Sequence, residues 1–101
     1  MDNSQDHFNT LRKIQKKPNS TQRELAKDLG FSLGKLNYIL GALKDKGLVK
    51  IKNFKKNPNK INYLYVLTPK GVVEKTKLTI NFMDSKMKEY EELKKELKEK
   101  K

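Results

Sequence analysis

The sequence predicts a mainly α-helical chain with one small β-hairpin and a long C-terminal helix. Three observations carry this reading: capped segments with apolar residues at three-and-four spacing before Gly47, two β-rich runs flanking the turn-forming stretch Lys55-Lys56-Asn57-Pro58-Asn59-Lys60, and a breaker-free segment after Pro69. At 101 residues, with 35% hydrophobic against 36% charged, the chain has material for one small core and an appended element. A catalytic cleft between two large domains is excluded. With no cysteine there is neither a disulfide framework nor a thiolate metal site. No window approaches the ~18 consecutive apolar residues of a spanning helix, so the expectation is a soluble, cytoplasmic protein with no membrane partner.

Phe8, Leu11 and Ile14 (or Gln15) fall at helical spacing, and the pattern stops at Lys17-Pro18-Asn19, because Pro18 disfavours the helical region for its predecessor. A first helix over about 5–16 follows. Thr21, with Glu24 three residues on, has the capping-box arrangement in which each side chain satisfies a free amide of the other. The second helix therefore starts there, buries Leu25, Ala26 and Leu29, and ends at Gly30, the residue suited to a left-handed cap. From a cap at Ser32, the apolar positions Leu33, Leu36, Ile39, Leu40 and Leu43 predict a third helix over about 33–46, closed by Lys44, Lys46 and Gly47. Leu48 to Phe54 alternates apolar and polar, and Ile61 to Leu67 is rich in β-formers, which predicts a two-stranded hairpin with Tyr63 and Tyr65 in its core or half-core. Thr68-Pro69 reads as N-cap and first helical residue. The last helix then runs to about 99, and Gly71 lies too near its start to matter. At ~1.5 Å per residue it reaches ~45 Å, beyond what so small a domain covers.

Charge locates the function. Residues 1–83 carry 17 Lys+Arg against 6 Asp+Glu, whereas 84–101 carry 7 against 6, and seven lysines but one acid (Asp45) lie between Lys44 and Lys60. A block this basic seeks polyanions. Two short capped helices with a tight connection, followed by a lysine-tipped hairpin, make a helix-turn-helix with a wing, in which the third helix is the reading helix. Leu36, Leu40 and Leu43 would pack inward, leaving Ser32, Gly34, Lys35, Asn37 and Tyr38 on the outer N-terminal face. Lys35 can donate to guanine or phosphate, Asn37 can pair with adenine, and Gly34 permits close backbone approach. Tyr38 offers its hydroxyl to a phosphate or lays its ring over the second helix. Thr21, Gln22 and Arg23 stand at an amide-rich helix start suited to phosphate. Lys55, Lys56, Asn57, Asn59 and Lys60 at the wing suit backbone or minor-groove contact. The expected partner is double-stranded DNA.

On the last helix Val73, Thr76, Ile80, Met83, Met87, Tyr90 and Leu97 step by three and four, with Lys94 interrupting and Leu93 beside the seam. An unpaired stripe of this length would stay wet, so a homodimer through a coiled coil is expected. Its interface would comprise Val73, Ile80, Met83, Met87, Tyr90, Leu93 and Leu97, with Phe8 contributing from the first helix. The division is thus a winged helix-turn-helix over 1–68 and a dimerisation helix over 69–101.

The run from Ser20 through Thr21-Gln22-Arg23-Glu24-Leu25-Ala26 and Leu29-Gly30-Phe31-Ser32 to Tyr38, then Gly47-Leu48-Val49-Lys50, then Tyr63-Leu64-Tyr65-Val66-Leu67-Thr68-Pro69-Lys70-Gly71, resembles the MarR-type winged-helix regulators. Within them it is similar to the short exopolysaccharide-associated transcriptional regulators, over about residues 8–97. The resemblance implies a homodimeric transcriptional regulator of bacterial or archaeal nucleoid association, repressor-like, on a pseudopalindromic operator. The resemblance is to a longer design with extra helices at both ends, and the extra N-terminal helix of that design is not expected in these 101 residues. A small-molecule effector is accordingly not expected as a requirement.

No nucleophile, base and orienting group can be assembled, and no glycine-rich phosphate loop follows a strand, so neither an enzyme nor a cofactor or metal is expected. His7, the single histidine, reads as a surface or dimer-contact residue. The rival reading is a winged helix that binds RNA or serves as a protein adaptor.

Overall fold

In the computed structural model the described residues are 4–57 and 60–99, with side chains described outside 54–62. The order is α1 (Ser4–Lys16), β1 (Ser20–Thr21), α2 (Gln22–Leu29), α3 (Leu33–Asp45), β2 (Val49–Asn57), β3 (Lys60–Leu67) and α4 (Pro69–Glu99). The three short helices, the wing and the long last helix stand where the sequence puts them. The sheet does not: it has three strands in the order β1-β3-β2, all antiparallel, with Ser20 opposite Tyr65 and Thr21 opposite Leu64. A two-residue strand has no periodicity to betray it. It forms because Asn19 takes φ 66° and turns the chain against β3, where its N–H donates to the Tyr65 carbonyl at 3.2 Å. Ser20 is buried there and donates from Oγ to the Lys17 carbonyl at 2.7 Å.

One core joins α1, α2, α3, β2 and β3, and α4 reaches it at Leu78. Leu11 and Ile14 from α1, Leu25 and Ala26 from α2, Leu36, Ile39, Leu40 and Leu43 from α3, Leu48 from the connection to β2, and Val49 and Tyr65 from the sheet form one buried cluster. Each such aliphatic side chain contributes ~1.5–3 kcal/mol on burial. Leu33 departs from the expected apolar face: it is exposed, because it occupies the first turn of α3, where the chain has only just left α2. Tyr63 departs as well, at 54% exposed, while its strand neighbour Tyr65 is buried. Tyr65 pairs with Ile51 over the core, whereas Tyr63 pairs with Asn53 farther out along the wing.

Gly71 is a further correction. It is the one residue of α4 that is fully buried among those described, and a Cβ built on it would fall on the Leu48 carbonyl oxygen. Only a glycine lets the helix approach the backbone at the start of β2 so closely. The same joint is tied by Thr68, whose N–H donates to the Leu48 carbonyl at 3.0 Å and whose Oγ1 donates to the Gly47 carbonyl at 2.6 Å and accepts from the Gly71 N–H at 3.0 Å.

Beyond its first turn α4 touches the body through Leu78, which packs on the core, and Phe82, whose ring stacks on Phe8 at 4.7 Å and 8°. From Met83 to Glu99 every residue is exposed. The molecule is correspondingly elongated, 69 × 26 × 24 Å. Among the described residues no helix is long and apolar enough to cross a membrane.

Candidate nucleic-acid interface

The start of α2 is held by a complete capping box. Thr21 Oγ1 accepts from the Glu24 N–H at 3.2 Å, and Glu24 Oε1 accepts in return from the Thr21 N–H at 3.4 Å and the Thr21 hydroxyl at 3.0 Å. Gly30, in the left-handed region at φ 71°, ends the helix, and the Phe31 N–H returns to the Ala26 carbonyl at 3.0 Å. Ser32 then caps α3, its Oγ accepting from the Lys35 N–H at 3.1 Å. Gln22 bridges the two helices by donating from Nε2 to the Leu33 carbonyl at 3.2 Å. Two helix starts are thereby fixed side by side, with Arg23 exposed beside them.

The outer face of α3 carries Ser32, Gly34, Lys35, Asn37 and Tyr38, all exposed. Space around Gly34 is open, with nothing within 4 Å of a built Cβ. Tyr38 stands 68% exposed, so of the two positions open to its ring the one over α2 is not taken. Lys35 has company that no local pattern announces. Its Nζ lies 3.0 Å from Asp6 Oδ2 on α1 and 4.4 Å from the centre of the Phe31 ring.

On the wing Lys50 and Lys52 are exposed and alternate with buried Val49 and half-buried Ile51, so both lysines project from the face of β2 away from the core. The apolar–polar alternation of Leu48 to Phe54 carries this outward placement in the sequence. Of the tip residues, Lys55 pairs with Ile61 and Asn57 with Lys60 across a bulge between Lys55 and Asn57. The side chains of Lys55, Lys56, Asn57 and Lys60, and all of Asn59, lie outside the described residues. Lys44 and Lys46, in the last turn and at the C-cap of α3, are exposed as well, and Lys46 borders a recess between α1 and α4.

The residues assigned to self-association fall in two groups. Val73, Ile80, Met83, Met87, Tyr90, Leu93 and Leu97 are all exposed along α4. Phe8 is instead 6% exposed, its ring sandwiched within its own chain between Phe82 and the Arg12 guanidinium, whose carbon lies 5.4 Å from the ring centre. Between α1 and α4 runs an open groove of ≈ 810 Å³ floored by Phe8, Phe82, Met83, Met87 and Tyr90 and flanked by Arg12. His7 is half-buried and faces a smaller recess with Leu11, Leu43, Leu48 and Leu78.

Two electrostatic perturbations accompany the fold. Lys17 Nζ donates to Asp28 Oδ2 at 2.9 Å, and this hydrogen bond with the surrounding lysine charges holds the Asp28 carboxyl below its ordinary range. Burial pushes the Tyr65 hydroxyl above its ordinary value, with Tyr63 adding to the effect. Among the described residues no group of three or more His, Cys, Asp or Glu is placed to hold a metal ion.

Residues 7–50 match the family model described as winged helix-turn-helix DNA-binding. No curated protein matches the chain. Among solved structures it is similar to a mutant MarR of E. coli complexed with operator DNA, at 31% identity and TM-score 0.64 over 72% of this chain and 51% of that one. It is also similar to FabT of Streptococcus pneumoniae in complex with DNA, at 22% identity and TM-score 0.64 over 84% and 57%. The PcaV transcriptional regulator of Streptomyces coelicolor, solved with its natural ligand, shares the fold at 16% identity and TM-score 0.72 over 78% and 55%. The chain spans about half the length of these structures.

Proposed function

Because the chain is a winged helix-turn-helix protein with the fold of the MarR-type regulators, we propose that it is a sequence-specific, double-stranded DNA-binding transcriptional regulator, repressor-like, acting as a homodimer on a pseudopalindromic operator. The observation that carries this reading is the outer face of α3. Four exposed side chains of mixed donor and acceptor chemistry, Ser32, Lys35, Asn37 and Tyr38, with exposed Gly34 among them, stand clear of the core beside the start of α2. In the major groove such a face meets base edges, with Asn37 suited to adenine and Lys35 to guanine or phosphate. Thr21, Gln22 and Arg23 at the start of α2 would hold a phosphate, and Lys50, Lys52 and the tip residues would follow the backbone into the minor groove.

Two of the similar structures, FabT and the MarR mutant, contain DNA, which supports that choice of ligand over RNA or a protein. The narrower likeness to the exopolysaccharide-associated regulators rests on motif order alone. A dimer would present two copies of α3 to half-sites ~10–10.5 base pairs apart or a multiple of that. The test is selection from a random duplex pool at near-physiological salt, with structured RNA in excess. An enriched inverted repeat supports the proposal; loss of the protein to the RNA, or no enrichment, replaces it with the RNA-binding or adaptor reading.

A further inference from the structure

The seam of α4 has two polar positions, Thr76 and Lys94, and their placement fixes how two copies can join. In a parallel pair each position meets itself, so two Lys94 ammonium groups would face one another inside an apolar seam. In an antiparallel pair centred near residue 85 the three-and-four steps still mesh, because the stripe reads the same from either end. Lys94 then meets Thr76, Val73 meets Leu97, and Met83 meets Met87. Every apolar position keeps an apolar neighbour, and the one charge of the seam meets a hydroxyl. Thr76 is exposed, its hydroxyl donating to the Val72 carbonyl at 3.0 Å, which leaves oxygen lone pairs for an ammonium.

A second, independent observation agrees. The groove between α1 and α4 is flanked by Arg12, Lys16, Lys75 and Lys86, with no acid among the residues lining it. The distal part of α4 carries Glu89 and Glu96 on the same side of the helix as Lys75 and Phe82, seven residues being two turns. Antiparallel pairing brings like sides together, so Glu89 and Glu96 of the second copy arrive at the levels of Phe82 and Lys75, beside Arg12. Parallel pairing leaves these glutamates level with their own copies and away from the groove. The like-charge contact that antiparallel pairing does create, Lys86 with Lys86 at the centre, is tempered within each chain by Glu89 at 3.7 Å.

We propose that the groove and the exposed face of α4 are the docking surface for a second copy of this chain, and that the two α4 helices run antiparallel. The proposal rests on the homodimer reading and specifies its geometry. The absence of native cysteine makes the test clean. In the full chain, Leu97→Cys alone is expected to remain uncrosslinked under mild oxidation, whereas Val73→Cys/Leu97→Cys joins two chains covalently. Efficient crosslinking by Leu97→Cys alone would overturn the orientation while leaving the dimer intact. A monomer by sedimentation at tens of micromolar would overturn the dimer as well. Thr76→Glu supplies a second readout free of disulfide geometry: facing Lys94 of the second copy at both ends of the seam, it should tighten dimerisation by ~2–30-fold, the range of two exposed ion pairs. In a parallel pair the same change sets glutamate against glutamate, and weaker dimerisation would refute the proposal.

Discussion

Lys35, on the outer face of α3, is anchored by a carboxylate from a different helix: Asp6 Oδ2 on α1 lies 3.0 Å from its ammonium nitrogen, with the lysine side chain still 48% exposed. The pair therefore couples the reading face to α1 without burying the charge. An exposed pair of this kind contributes ~0.2–1 kcal/mol to stability, so under the proposed role of Lys35 its larger effect is expected on DNA binding, where Asp6 would both neutralise and orient the lysine. Asp6→Asn is expected to leave Tm nearly unchanged and to raise affinity for duplex DNA by ~1.5–5-fold at low salt. Fluorescence anisotropy at two salt concentrations checks this. Weaker binding would mean that orientation by Asp6 outweighs the charge it cancels.

The α3 face and the wing should differ in kind. Asn37→Ala is expected to relax preference at one base pair per half-site at a cost of ~1–3 kcal/mol per half-site, while Lys52→Ala weakens all sequences alike and lowers the salt slope by about one per half-site. Binding to a panel of single-base operator variants, repeated across salt, separates the two. The same selectivity profile from both variants would remove the assigned roles.

Gly71 tests the joint between α4 and the wing. Gly71→Ala places a methyl group on the Leu48 carbonyl oxygen, a collision with backbone that no rotamer change relieves. A loss of ~2–3 kcal/mol is expected, read as a fall in Tm on the order of 10 °C. Gly34→Ala, where the space is open, serves as the control and should leave Tm within a few degrees.

The Lys17–Asp28 pair gives a pH dependence with a definite sign. The folded-state pKa of Asp28 is lowered, chiefly by the Lys17 hydrogen bond, so the pair's stabilisation is present above about pH 4, the ordinary aspartate value, and is lost as pH falls through the lowered folded value. Lys17→Ala should therefore flatten the acid limb of the Tm profile below about pH 4 and change little on the alkaline side. Urea titrations between pH 2 and 7 measure it.

The helix caps were legible in the sequence because they are local: Thr21 with Glu24, Ser32, Gly30 and Gly47 each act within four residues, and all behave as the chain order implies. Residues whose role depends on distant partners were not. Ser20 and Thr21 join a sheet through β3, Phe8 turns inward because Phe82 is there to receive it, and Asp6 reaches Lys35 across the helix packing. Leu33 fits the apolar period of α3 yet stays wet, since periodicity reports a face and not what covers it. On α3 itself the outer face followed from the inner one, so Ser32, Gly34, Lys35, Asn37 and Tyr38 are exposed as a set. At the wing the lysine density between Lys44 and Lys60 marks a basic block without singling out a face, and it is the strand pairing that turns Lys50 and Lys52 outward.

The bonds at Thr68 and the close approach at Gly71 make the root of α4 a weld instead of a hinge. Two of the Thr68 bonds end on main-chain carbonyls of Gly47 and Leu48, the residues that lead from α3 into β2. The direction of the long helix is consequently set by the same backbone that orients the reading head. In a pair of such chains the reach between heads is that of a rigid caliper, and adjusting it to a different spacing would require slippage along the seam between the two long helices, one turn at a time, instead of flexing at the root.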